Sequence, residues 1–252
     1  MSKDIFLETN QTNYLTKCLF WDKSAKFEYN DIFINLSQHI TTFFDIGANI
    51  GYYSVLMSKL NPQSKTFSFE PATGPHHYLQ TNAQINGLSN MRVEFVALSN
   101  QEGKIDFYEV RNKKYKYLKY NLAGTGSMVV SKKDQFNKYT VSTIQLDNYV
   151  KSNNISRVDL IKIDTEGTED LVLDGGKEVL DKHKPIVVCE TLFNSIEDKL
   201  DRIFKMHGYE MYYHLPEGLK KVETITRDHD NGVYNCFFVH PSKRNLIQDF
   251  VI

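Results

Sequence analysis

Residues 42–60 read TFFDIGANIGYYSVLMSKL. The first five, with three apolar residues beside Thr42 and Asp45, predict a short buried strand. The last nine, YYSVLMSKL, predict a helix that stops at Asn61-Pro62, because proline disfavours helical backbone in the residue before it. Between them, Gly47 and Gly51 permit a tight turn and a close approach of a ligand to the backbone. The helix that follows presents unbonded N–H groups at its start. The segment is therefore a strand, a glycine turn and a helix with an acidic residue at the strand's end.

Outward from this segment the same alternation recurs. KTFSFE at 65–70 predicts a second strand, PHHYLQTNAQIN at 75–86 a helix ended by Gly87, and MRVEFVAL at 91–98 a third strand. Further on, VDLIKID at 158–164 and KPIVVCE at 184–190 predict buried strands. GTEDLVLDGG opens a helix between them, and SIEDKLDRIFKMHG at 195–208 is an amphipathic helix. Strands alternating with helices through short joints predict an α/β fold with a mostly parallel sheet and helices on both faces. YEMYYHL at 209–215 and YNCFFVH at 234–240 predict a final antiparallel pair. The reading divides the chain into a cap segment, 1–40, where 32–40 has helical spacing, and one domain, 41–252. That domain carries an insertion at about 103–146, with strands in GKIDFYEV, MVV and KYTVSTIQL around a basic, aromatic and Gly-rich loop at 111–127.

Composition narrows the function classes. The chain has 252 residues and a net charge of −1, so no basic excess points to nucleic acid and no polybasic block to a membrane surface. Hydrophobic residues make up 41%, enough for an ordinary core. Three cysteines, Cys18, Cys189 and Cys236, have no close spacing, which argues against a disulfide framework or a structural zinc site and fits a reducing, cytoplasmic setting. The start of the chain carries charges and no apolar run, and no stretch is long and apolar enough to span a bilayer.

The strand ends carry the chemistry. The turn reads D-x-G-x-x-x-G, not the dinucleotide fingerprint G-x-G-x-x-G, and Asn49 stands where a pyrophosphate would need glycine. Asp45 repels an anion and suits a cationic group. Glu70 ends the next strand, nineteen residues after Gly51, where a carboxylate can accept both hydroxyls of a ribose. A ribose without a diphosphate cradle fits S-adenosylmethionine. Ala97 and Leu98, at the exit of the third strand, are candidates to flank the adenine. Asp164, Glu166 and Glu169 crowd the end of the strand 158–164, with Asp164 the deepest and Glu169 equally a helix-start complement. Glu190 ends the neighbouring strand, so Asp164 and Glu190 are expected in one crevice. They would serve as ligands of a divalent metal, Mg²⁺ or Mn²⁺, or as an acid/base pair. The metal is the preferred reading, because two close carboxylates make a poor base pair. His214, and with less reason His76 and His77, are candidate bases.

Taken together, FFDIGANIGYYS, FEP at 69–71 with Asn82 after it, VALSN, TIQLDNY at 143–149, DLIKIDTEGTE and PIVVCE resemble the FkbM family of S-adenosylmethionine-dependent methyltransferases over roughly residues 41–213. The resemblance implies a Rossmann-like methyltransferase fold and O-methylation of a hydroxyl, on sugars or polyketide products. It implies that Asp45, Gly47, Asn49 and Gly51 cradle the methionine part and that Glu70, with Pro71 beside it, holds the ribose. Asp164 would lie near the transferring methyl. The expected reaction is methylation of a sugar hydroxyl on a nucleotide-linked sugar or polysaccharide precursor, in a surface or capsular polysaccharide setting. The rivals are a polyketide O-methyltransferase, a non-catalytic module that binds S-adenosylmethionine, and an NAD-dependent oxidoreductase. Residues 1–40 and the loop at 111–120 fall outside the pattern and are expected to carry substrate choice or homo-oligomer contacts.

Overall fold

The computed structural model describes residues 4–22, 28–110, 117–120, 122 and 136–252. The MVV strand and most of the basic loop at 111–127 lie outside the described residues. Two helices precede the sheet, α1 (Tyr14–Asp22) and α2 (Asn30–Ser37). The chain then alternates through β1 (Thr42–Ile46), α3 (Tyr52–Leu60), β2 (Lys65–Phe69), α4 (Thr73–Ile85) and β3 (Met91–Glu94). Alternation resumes with α5 (Leu146–Ser152), β7 (Leu160–Ile163), α6 (Glu169–Asp174), α7 (Lys177–His183), β8 (Ile186–Glu190) and α8 (Glu197–Met206). Between the two runs lie β4 (Ala97–Leu98), β5 (Gly103–Val110) and β6 (Phe136–Ile144), and the chain closes through β9 (Glu210–Leu215), β10 (Gly218–Val222) and β11 (Asn235–Val239). Among the described residues no helix is long and apolar enough to cross a membrane.

The main sheet has the order β10-β9-β11-β8-β7-β1-β2-β3. Strands β3, β2, β1, β7 and β8 pair in parallel, while β11 pairs antiparallel with both β8 and β9. This is the expected α/β architecture with one refinement at its edge. β9 and β10 form a hairpin that the sequence reading did not separate, and β11 slots between β8 and β9. The predicted strand 91–98 is also divided. β3 ends at Glu94, the chain leaves the main sheet, and Ala97–Leu98 pairs with β6 in a separate three-stranded sheet.

The period of two along each strand sorts the core into two layers. Phe44, Ile46, Ile161, Ile163, Val187 and Cys189 face α5 to α8, packing on residues such as Tyr149, Val172, Leu180 and Phe204. Phe43, Leu160, Ile186 and Val188 face the other way, onto α2 and α3 through Phe33, Leu36, Tyr53 and Met57. The same parity directs Asp45, Lys162, Asp164 and Glu190 toward the α2–α3 face. The acidic strand ends therefore share one side of the sheet.

Candidate active site

A cavity of about 360 Å³ opens at the carboxyl ends of β1, β7 and β8, on the α2–α3 side. Asp45, Asn49, Lys162, Asp164, Glu166 and Glu190 contribute to its wall. Asp45 is 1% exposed. Its Oδ2 accepts a bond of 2.6 Å from Ser54 Oγ on α3, and Ser68 Oγ in turn donates to Ser54 Oγ at 2.7 Å. Its Oδ1 is buried with no hydrogen-bond partner among the described residues. Burial raises the pKa of this carboxyl above the ordinary range, against the opposing pull of Lys162.

Lys162 is the residue that sequence reasoning missed. Flanked by Leu160, Ile161 and Ile163, it reads as a stem-like member of a buried strand. In the β1–β7 register it is the direct partner of Asp45. Its Nζ donates to the Gly47 carbonyl at 2.9 Å and to Asp164 Oδ2 at 3.3 Å, and lies 3.6 Å from Asp45 Oδ1. Burial alone would depress its pKa, but Asp164, Asp45 and Glu28 outweigh burial and raise it, so the ammonium stays charged. A lysine two positions before an acid cluster, on the same face of the strand, is the signal that could have found it.

The turn after β1 is braced by the chain itself. Gly47 and Ala48 N–H both donate to the Phe69 carbonyl at 3.0 Å. A Cβ on Gly47, at φ +73°, would lie 1.8 Å from the Asp164 carbonyl oxygen, and one on Gly51, at φ +90°, would lie 2.4 Å from Leu79 Cδ1. Both glycines are thus required by contacts within the fold. Asn49 occupies the left-handed region at φ +51°, which asparagine tolerates, and its Oδ1 accepts from Ile50 N–H at 2.8 Å. Asn82 on α4 holds the turn from behind by donating to the Ile50 carbonyl at 2.8 Å.

Glu70 stands just past β2 and is buried. Its Oε2 accepts from Asn49 N–H and its Oε1 from Ala72 N–H, each at 2.8 Å. Burial raises its pKa to about 7, even with these two bonds favouring the charged form. A carboxylate offers about four lone-pair sites, so two ribose hydroxyls can still be accepted. Pro71 carries the chain from Glu70 into α4. Ala97 and Leu98 are buried and do not line the cavity. Ala97 packs with Ala72, Phe107 and Val141, and Leu98 enters the main core. The reason is the early exit of the chain from β3.

The three carboxylates at the far wall have separate environments. Asp164 is tied to Lys162. Glu166 sits in left-handed backbone at φ +57°, ahead of Gly167 at φ +98°, and its pKa is raised to about 7 by burial and by Asp164 and Glu169. Glu190 is raised to about 8 by burial, then by repulsion from Asp164 and Glu166. Glu169 is turned away from this group. Its Oε1 accepts from Thr165 N–H at 2.8 Å and Gly167 N–H at 3.2 Å, which makes it the brace of the β7–α6 turn.

The expected metal site does not assemble. Among the described residues no three His, Cys, Asp or Glu side chains converge to hold an ion. The positive charge among these carboxylates is the Lys162 ammonium, so the donor set of Asp164 and Glu190 does not fit a divalent cation. Nor does His214 reach the cavity. It lies on β9 with its ring edge-on to Tyr29, centroids 6.0 Å apart, and burial lowers its pKa. His76 lies in the first turn of α4, packed on Phe95 at 4.6 Å, and His77 lies against Tyr120 at 4.6 Å; neither lines the cavity. By contrast, a sulfonium with an ammonium beside it fits the donor set. It meets several carboxylates, one of them with a buried, unbonded oxygen, and a turn that has no diphosphate cradle.

Comparison with known proteins gives three concordant findings. A family description, "Methyltransferase FkbM domain", matches residues 45–211. Among curated proteins, the chain is 30% identical over 147 residues to the 2-O-methyltransferase NoeI of Sinorhizobium fredii, a match covering 55% of this chain and 58% of that protein. It is 26% identical over 225 residues to methyltransferase sdnD of Sordaria araneosa, covering 74% of this chain and 83% of that one. Among solved structures, the methyltransferase FkbM of Methylobacillus flagellatus superposes with a TM-score of 0.52 at 15% identity, over 79% of this chain and 43% of that one. The chain thus spans little more than half of NoeI and less than half of that solved chain. The superposition supports the fold alone.

Proposed function

The chain belongs to the FkbM methyltransferase family, and from that premise we propose that it transfers the methyl group of S-adenosylmethionine to a hydroxyl oxygen of a sugar unit. The observation that carries the reading is the convergence of Asp45, with its unbonded Oδ1, and of Asp164, Glu166 and Glu190 on one cavity at the carboxyl end of the parallel strands. Open α/β sheets bind their ligands in the crevice at those strand ends. The relative named a 2-O-methyltransferase supports oxygen as the acceptor atom.

In this reading S-adenosylmethionine supplies an electrophilic methyl on a sulfonium. Asp45 and the turn 47–51 hold the amino acid part, with Lys162 fixing the Gly47 carbonyl and so the shape of the turn. Glu70 fixes the same turn through Asn49 N–H and has lone pairs left for the ribose. Glu190 takes the hydroxyl proton. A carboxylate with a pKa of about 8 is partly ionised at neutral pH and is far more basic than a solvated one, as a general base should be. Asp164, held beside Lys162, faces the sulfonium and raises the basicity of Glu190.

Calorimetric titration with S-adenosylhomocysteine tests the cofactor half of the reading, and a mass-detected methyl-transfer assay on sugar acceptors tests the reaction. Saturable binding together with a gain of one CH₂ on an acceptor is expected. Binding without transfer to any hydroxyl would leave a non-catalytic module, and NADH binding in its place would return the site to the oxidoreductases.

A further inference from the structure

Four residues of the cavity wall, Asn13, Tyr14, Leu15 and Glu28, come from the segment that precedes the family-matched region at 45–211. Glu28 is the charged one. It sits one residue before Tyr29 in left-handed backbone, φ +43°, a conformation that a glutamate adopts only when its surroundings impose it. The surroundings are visible. Tyr53 on α3 donates its hydroxyl to Glu28 Oε2 at 3.0 Å. The Tyr53 ring stacks on Tyr29 with centroids 4.8 Å apart and planes 3° from parallel, and Tyr29 stands edge-on to Phe237 of β11 at 5.5 Å. Tyr29 is fully buried in the α2–α3 layer. A rigid aromatic stack anchored in the core thus presents the carboxylate to the cavity.

The position along the sheet separates Glu28 from the ribose end. Glu70 lies beyond β2, on one side of β1. Glu28 hangs from the Tyr53–Tyr29 stack, whose Tyr29 meets Phe237 of β11 on the other side of β1. Its electrostatic neighbours are Lys162 and Asp164. It thus shares the cavity with Asp164 and Glu190, the residues that the methyl-transfer reading places at the reacting hydroxyl.

We propose that Glu28 orients the methyl acceptor by accepting hydrogen bonds from hydroxyls next to the one methylated, and that the acceptor unit in the cavity is an uncharged polyol ring. Vicinal hydroxyls are donors that a carboxylate oxygen receives well, and bonds to a charged acceptor are the stronger ones. The cavity's charge sharpens the class. Among the described residues that line the cavity, Glu28, Asp45, Asp164, Glu166 and Glu190 face one lysine, Lys162, so a phosphate or uronate beside the reacting hydroxyl meets mainly negative charge. A nucleotide-linked acceptor would have to keep its diphosphate outside this cavity. The inference rests on the methyl-transfer reading above.

The test combines a panel of methyl glycosides of neutral sugars and their uronates with the variants Glu28→Ala and Glu28→Gln, and with calorimetric titration of S-adenosylhomocysteine. Turnover of a neutral glycoside and not its uronate is expected. Glu28→Ala should raise the acceptor KM at least about tenfold, with Glu28→Gln intermediate, the size expected for losing a bond to a charged group. The S-adenosylhomocysteine Kd should stay within about twofold for both variants, as for a residue that touches only the acceptor. A parallel loss of S-adenosylhomocysteine affinity would overturn the assignment and move Glu28 to the methionine end. An unchanged acceptor KM overturns it too, as does preference for the uronates. If wild type binds no S-adenosylhomocysteine, the underlying reading fails, which is a different result from any of these.

Discussion

At the scale of single residues, the site is an arrangement of charges held apart by one lysine. Lys162 lies between Asp45 and Asp164 and also pins the Gly47 carbonyl. Removing one partner of a buried pair leaves a charge without compensation and costs about 3–5 kcal/mol. Lys162→Met is therefore expected to lower unfolding stability by about 3 kcal/mol in urea titration, and Asp45→Asn in that background should recover part of the loss. If Lys162→Met alone proves neutral, the bridge is not structural. Glu190→Gln should retain S-adenosylhomocysteine binding and reduce kcat by about a hundredfold or more, the usual contribution of a general base. In the wild type, kcat/KM should rise with pH toward a plateau above about 8, the raised pKa of Glu190. The glutamine variant should lose that inflection, and an unaltered profile would assign the base elsewhere.

At the scale of elements, the turn between β1 and α3 decides whether the site exists. Gly47→Ala places a Cβ 1.8 Å from a backbone oxygen in left-handed backbone, so β1 and β7 must part. A loss of at least about 2 kcal/mol is expected, since an overpacking term adds to a backbone term. Gly232→Ala, also at positive φ but with nothing within 4 Å, isolates the backbone term and should cost less; equal losses would remove the clash from the account. The first strand, its turn and its helix were legible because each signal agreed: a buried run, two glycines, an apolar helix face and Pro62. The strand at 91–98 was not, because its run of apolar residues gives no sign that the chain leaves the sheet at Phe95 to pair with β6. Ala97 and Leu98, the candidates for the adenine, follow that exit and sit in the smaller sheet. Lys162 was hidden for a related reason. Its meaning lies in a register partner more than a hundred residues away, and no local pattern encodes register. His214 has the chemistry of a base, but its strand carries it behind Tyr29.

At the scale of the molecule, the raised carboxyl groups make stability depend on pH in a defined direction. Glu70 and Glu166 are raised to about 7 and Glu190 to about 8 by burial. An unfolded chain has all three ionised above pH 6, so the native state binds more protons than the unfolded state between neutrality and pH 8.5, and stability falls as pH rises. The buried thiols of Cys189 and Cys236, also raised, act in the same direction. The thermal midpoint should be a few degrees lower at pH 8.5 than at pH 7, and the glutamine variant of Glu190 should flatten that slope; a rising midpoint would contradict the burial of these groups. The path of β11 has a further consequence, for how the protein is made. β8 and β9 share no hydrogen bonds with each other and are joined only through β11, which the ribosome produces after both. A nascent chain that has reached β9 holds an open seam beside Glu190, with hydrogen-bonding edges exposed on each side. The main sheet then becomes continuous in one step, when a single late strand fills the seam and pairs both edges at once.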